Sequence, residues 1–194
     1  MNNTYIQATG ISIFEQMANI IDEVMWISDI DKHKFIYISP AYEKILGYSC
    51  ESLYDNPLSF VNAIHPDDRE RILSSFPKQK MGTYDEVYRI INRKGEICWI
   101  HDRSYPPTRL TDGTIGVMGI ARDITFQKQS EFALIKSEGR FRSIIDTSPV
   151  PLAMNNEAME VTLLNPAFVA TFGYTVDDIP TLSDWWPKAY PDPI

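Results

Sequence analysis

The sequence is poor in the residues that usually announce chemistry. Among 194 residues there are two cysteines and three histidines. Cys50 and Cys98 are too few and too far apart for a disulfide framework or a zinc site, so a reducing cytoplasm is the expected setting. His33, His65 and His101 are scattered, with no His-x-x-x-His pair to hold a metal. No glycine-rich loop cradles a phosphate, and no nucleophile elbow is present. A kinase's ATP-binding motif and dimerisation histidine are missing too, so no enzyme activity is expected of this chain and any catalytic output would lie outside it. There is no run of about 18 apolar residues to span a bilayer, and MNNTYIQATG lacks the basic start and apolar core of a secretion signal. A formal charge of −8 argues against the basic face that nucleic-acid binding needs. Acidity otherwise reads as a solubility feature.

What is present is globular: 44% of the residues are apolar and 12% of the whole chain is aromatic, well above a disordered composition. The most informative stretch is Glu86 to Thr125. Glu86, Tyr88 and Ile90 alternate with Val87, Arg89 and Ile91, the period of a pleated strand. Asn92 to Gly95 supplies a turn. A second strand from Glu96 to Tyr105 is halted by Pro106-Pro107, and Asp112-Gly113 announces the hairpin into a third strand, Ile115 to Asp123. Upstream, Ile13, Phe14, Met17, Ile20 and Ile21 have helical spacing, with Ser12 and Glu15 as a capping box. Val24 to Asp29 and Phe35 to Ile38 read as two further strands. Ser39 is the expected cap of a helix with Pro40 at its first position, ending at Gly47. His65-Pro66-Asp67-Asp68 opens another helix with acids at its positive end. Five antiparallel strands with helices on one face make an α+β layer pair.

An internal repeat sets the domain boundaries. Tyr37-Ile38-Ser39-Pro40-Ala41-Tyr42, followed by Gly47-Tyr48, returns as Leu163-Leu164-Asn165-Pro166-Ala167-Phe168, followed by Gly173-Tyr174. His65-Pro66-Asp67-Asp68 returns as Tyr190-Pro191-Asp192-Pro193. The expected organisation is a flexible 1–10, a domain over 11–125, a helical linker over 126–140, and an incomplete second copy over 141–194. That copy lacks any counterpart of the three later strands, so it should leave Trp185 and Trp186 uncovered, as a piece of a longer tandem array would. No heptad frame keeps charges off the seam of the linker helix.

Ser39-Pro40-Ala41 with Gly47-Tyr48, His65-Pro66-Asp67-Asp68, Gly95 to Ile100, and Gly119-Ile120-Ala121-Arg122-Asp123-Ile124-Thr125 together resemble the PAS family, in its sensory-box form with a C-terminal PAC segment. The likeness is complete over about Ile13 to Thr125 and partial over Phe141 to Ile194. It implies a five-stranded antiparallel sheet, a small-molecule pocket under the helices, and frequent homodimers. It also implies an input module placed before a histidine kinase, cyclic-dinucleotide or similar output domain of the same polypeptide.

On that pattern the pocket would be lined by Tyr42, Leu46, Phe60, Ile64, Tyr88, Ile90, Ile100, Met118 and Ile120, or those residues would simply fill a core. Asp123 and Thr125 form the expected signal-transfer hinge, Thr125 capping the exit helix and Asp123 facing Arg93 or Lys94. Ile13, Phe14, Met17 and Ile20 are the expected dimer contact. Arg89, His101 and Arg103 could meet an anionic ligand or face solvent. The cofactor stays open. Some relatives bind haem through a helical histidine, but His65 sits in a helix-start motif before a proline. A flavin adduct needs an Asn-Cys-Arg-like motif that neither Cys50 nor Cys98 has. The competing functional class is a ligand-blind relay that dimerises and spaces its neighbours; an orphan enzyme using Asp67 or Asp68 would need an acid-lined cleft.

Overall fold

The computed structural model describes residues 16–30 and 34–191, and the chain divides into two compact units, 1–129 and 130–194. Of the residues expected at a dimer contact, Ile13 and Phe14 lie outside the described residues, as does His33.

In the first unit, β1 (Val24–Asp29) and β2 (Lys34–Ile38) precede α1 (Ala41–Leu46), α2 (Glu51–Asp55), a 3-10 turn at Ser59–Ala63, α3 (Pro66–Ser75) and α4 (Pro77–Lys80). Then come β3 (Asp85–Ile91), β4 (Ile97–Ser104), β5 (Thr108–Arg109) and β6 (Ile115–Asp123). The sheet runs β2-β1-β6-β4-β3, with β5 paired to β6 off that path, and every pairing is antiparallel. β5 is the strand the sequence did not suggest. Pro106-Pro107 ends β4 by removing ladder donors, yet the chain re-enters the sheet for two residues before turning through Gly113, whose φ of 88° needs a residue without Cβ.

Alternation decides which side is covered. Val24, Trp26, Tyr88, Ile90, Ile100, Val117 and Ala121 point inward and pack with Ala41, Tyr42, Leu46, Leu53, Ile64 and Ile72 of the helical layer. Each such side chain, fully buried, stabilises the fold by about 1.5–3 kcal/mol. The opposite face carries Met25, Ile27, Val87, Trp99, Met118 and Ile120, all partly exposed.

Among the helices over the sheet, the ends follow the sequence with one exchange of roles. α1 stops at Gly47 in the left-handed region, and His65 caps α3, its Nδ1 accepting the Asp67 N–H at 3.3 Å. Ser39, expected as the cap of α1, instead turns its hydroxyl to β1: Oγ accepts the Met25 N–H at 2.9 Å and donates to the Glu23 carbonyl at 3.3 Å. The hydroxyl is too short to serve both strand and helix, and the buried strand amide wins.

α5 (Thr125–Thr147) leads into the second unit, where β7 (Ala153–Asn155) and β8 (Val161–Leu164) form a hairpin followed by α6 (Pro166–Phe172) and α7 (Leu182–Ala189). Here the repeat is legible in hydrogen bonds. Asn165 occupies the place of Ser39: its Oδ1 accepts the Leu152 N–H at 2.8 Å, as Ser39 Oγ accepts that of Met25. Being longer, Asn165 also caps α6 by accepting the Phe168 N–H at 2.9 Å, and its Nδ2 donates to the carbonyls of Ile145, Ser148 and Val150. α6 ends at Gly173 with φ of 77°, against 78° at Gly47. Trp186 is exposed, but Trp185 is not left uncovered. It packs on Phe168, Phe172 and Tyr174 at centroid distances of 5.1, 5.3 and 6.1 Å.

Candidate functional site

Between the helical layer and the inner face of the first sheet lies a cavity of about 460 Å³, within the range of small-ligand pockets. Of the inward positions of β6, Ala121 borders it, while Val117 and Gly119 do not. Trp26 lies across Gly119 so closely that a Cβ there would fall 2.2 Å from its Cζ2. A belt of rings runs around the walls: Trp26 to Phe35 at 6.3 Å, Phe35 to Phe60 at 6.3 Å, and Phe60 to Phe76 at 6.0 Å. These edge and tilted contacts set the rings against one another.

Tyr42, Leu46, Phe60, Tyr88, Ile90 and Ile100 of the expected lining border the cavity. Ile64 does not; it is completely buried, and its backbone bridges to Ile90. Met118 and Ile120 are corrected to the outer face of β6. In the run Val117-Met118-Gly119-Ile120-Ala121 the bulkier residues face outward, because the inward ones must leave space for Trp26 and the cavity.

The group that the sequence analysis passed over is Asp102. It sits two residues after Ile100 on β4, hence on the same inner face, and it is buried against the cavity. Its Oδ1 accepts the Trp26 indole N–H at 3.1 Å, and its Oδ2 accepts the Tyr88 and Tyr84 hydroxyls at 3.2 and 3.4 Å. Burial pushes its pKa up to about 6, against the pull of those three donors. Burial likewise raises Tyr84 and Tyr88, with the Asp102 charge adding to it, so both phenols keep their protons. No ion pair among the described residues joins Asp102 to a lysine or arginine. Around the rest of the wall, Asp29 is buried while Lys34 and Lys80 are exposed.

The other candidates fall elsewhere. Arg89 is committed to Asp68, with Nε to Oδ2 at 2.9 Å and the Arg89 backbone N–H on the same oxygen at 2.9 Å. That pair ties β3 to α3 and holds the Asp68 carboxyl below its usual range, so the acids of this motif staple the fold. His101 pairs with Asp85 at 2.6 Å, and Arg103 donates to the Tyr105 hydroxyl at 2.9 Å. His65 is taken up as a helix cap and does not border the cavity. Burial raises the thiols of Cys50, to about 11, and Cys98.

At the end of β6, Thr125 is not the helix cap expected of it. Its Oγ1 accepts the Trp99 N–H of β4 at 2.8 Å, while Asp123 Oδ1 accepts the Thr125 N–H at 2.8 Å. Neither Arg93 nor Lys94 pairs with Asp123 among the described residues. Met17 and Ile20 are exposed, at 55% and 78%.

Two family models match the chain, one described as PAS fold over residues 35–121 and one as PAS domain over 139–193. The sensor protein FixL of Bradyrhizobium diazoefficiens is 29% identical over 126 residues, 62% of this chain and 25% of that protein. The uncharacterized protein y4lL of Sinorhizobium fredii is 26% identical over 174 residues, 88% of this chain and 20% of that protein. Among solved structures, a sensory box histidine kinase/response regulator of Burkholderia thailandensis shares 28% identity at a TM-score of 0.50, covering 67% of this chain and 98% of that one. This chain thus spans a quarter or less of the length of these curated relatives.

Proposed function

The chain belongs to the PAS family, and from that premise we propose that its first unit is a non-catalytic sensory input module that binds a small molecule in the cavity under β6. The bound state is passed through Asp123 and Thr125 into α5 and on to an output domain of the same polypeptide. One observation carries this reading. Ala121, a wall of the cavity, is two residues from Asp123 on the strand that becomes the exit helix, so occupancy and helix root share one short segment. Pairing of two copies, with Met17 and Ile20 at the contact, would let both exit helices respond together. The setting is cytoplasmic, and no helix among the described residues is long and apolar enough to cross a membrane.

A ligand moves such a device only by binding its two states unequally. The test is to purify the chain gently, denature it, and record its absorption spectrum and the mass of anything released. Hydrogen exchange at residues 121–128 is then compared with and without that molecule. A retained molecule that changes exchange there supports the reading. An empty cavity that accepts no metabolite, with exchange unchanged, establishes the ligand-blind relay instead.

A further inference from the structure

We infer that the cavity selects a small organic cation, an amine with an apolar body, and that Asp102 is its counter-ion. This rests on the reading of the cavity as a ligand pocket and names what enters it. Three features of the wall point the same way. First, Asp102 is a buried acid that, among the described residues, pairs with no lysine or arginine and is held by neutral donors, Trp26 of β1, Tyr88 of β3 and Tyr84 just before β3. A carboxylate has about four lone-pair sites, and three donors leave room for one more N–H. Second, the buried acid Asp102 opens on the space, whereas the lysines that border it among the described residues, Lys34 and Lys80, do so from exposed positions. An anion entering the interior would meet like charge in a poorly screened site. Third, Trp26, Tyr42, Phe60 and Tyr88 surround the space with aromatic rings, which favour cations and accept an apolar body.

The donors also fix the geometry. Trp26 is pinned over Gly119 and bonds one carboxylate oxygen, while Tyr84 and Tyr88 bond the other, so the acceptor cannot swing away when the pocket fills. A neutral apolar ligand gains nothing from Asp102. A protonated amine gains a charge-assisted hydrogen bond and relieves the uncompensated charge.

The test is calorimetric titration of the full chain with three probes of the same carbon count: 2-phenylethylamine, 2-phenylethanol and phenylacetate. The amine is expected to bind at least about tenfold more tightly than the alcohol, and the carboxylate more weakly than either. In Asp102→Asn the amine's advantage over the alcohol disappears, the amine losing far more affinity than the alcohol, whose O–H can donate to either side chain. Should that variant fold poorly, the wild-type protein still decides. With Asp102 titrating at about 6, amine affinity falls about tenfold between pH 7.5 and pH 5. The groups facing Asp102 are Trp26 of β1, Tyr88 of β3 and Tyr84 just before it, and His101 beside it on β4; Asp29, Lys34 and Lys80 border the same space. The alcohol, measured over the same range, reports any contribution from His101 or Asp29. Equal or tighter binding of alcohol or carboxylate, or an amine preference that survives in Asp102→Asn, overturns the assignment. If none of the probes binds but purified protein releases a molecule that carries no cationic amine, the cation assignment falls alone; a released amine supports it. If none binds and nothing is released, the pocket reading falls with it.

Discussion

Replacing Asp102 by asparagine should make the first unit more stable at neutral pH, although the substitution removes the acceptor of a buried hydrogen-bond network. An ordinary aspartate titrates near 3.8 and this one at about 6, a gap worth about 3 kcal/mol at 1.36 kcal/mol per pH unit. The sign follows from proton uptake. Between those two values the folded state holds a proton that the unfolded chain has released, so stability is highest below pH 3.8 and declines as pH rises through 6. Asparagine has the same shape and no charge to desolvate. Its Oδ1 can keep the Trp26 N–H, while its Nδ2 turns the Tyr84 and Tyr88 hydroxyls from donors into acceptors, at a cost of about 1 kcal/mol. The net expectation is a gain of roughly 2 kcal/mol at pH 7.5. Urea unfolding at pH 7.5 and pH 5, followed at a probe confined to the first unit, would measure it as a shift in midpoint at constant m-value. Wild type should recover roughly half of its electrostatic deficit at pH 5, narrowing the gap. A variant less stable than wild type at pH 7.5, with a gap independent of pH, would refute the argument, because it would mean the three donors outweigh the desolvation of the charge.

Other perturbations probe separate parts of the molecule. Gly119→Ala puts a Cβ 2.2 Å from Trp26 Cζ2 and 2.8 Å from the Arg103 carbonyl oxygen; a loss of about 1–3 kcal/mol and altered near-ultraviolet dichroism of the displaced indole are expected. Asn165→Ala orphans amides and carbonyls of the second unit at once and should destabilise it by about 2 kcal/mol or more, with hydrogen exchange rising at Leu152 and Phe168 and unchanged in β3 and β4. Arg89→Ala should lower the urea midpoint at pH 7. The difference should vanish as pH falls through the depressed pKa of Asp68, because that pair stabilises only while the carboxylate is ionised. Asp68 and Asp102 therefore tilt the acid limb in opposite directions, and comparing the two variants separates them.

The strands were legible because alternation and turn chemistry agreed. Tyr88, Ile90 and Ile100 announce the inner face of β3 and β4, and the glycine stop at Gly47 needs no tertiary information. The same alternation places Asp102 beside Ile100, but a charge on a strand reads as solvent-facing until its donors are known, and one of them is Trp26, 76 residues away. On β6 residue size pointed the wrong way: Met118 and Ile120 look like core, yet the inner face is set by what Trp26 and the cavity leave room for. Ser39 and Thr125 both look like helix caps by type and position. Each instead serves a strand amide brought to it by the fold, of Met25 and Trp99 respectively, and no local pattern contains that information. The repeat was visible from Asn165-Pro166-Ala167, while the larger reach of Asn165 over Ser39 emerged only with its partners in place.

β6 is flanked on both sides, by β1 and β4, and its last residues become the root of α5 with a single residue, Ile124, between. A strand at a margin could slip or fray and absorb a disturbance locally. One clamped in the middle has little slack, so on the proposed reading a torque applied where Ala121 meets the cavity would pass toward the helical shaft that begins at Thr125. On the proposed reading, a ligand beside Trp26 would act on a crank already engaged, with the Trp99–Thr125 latch setting its gearing.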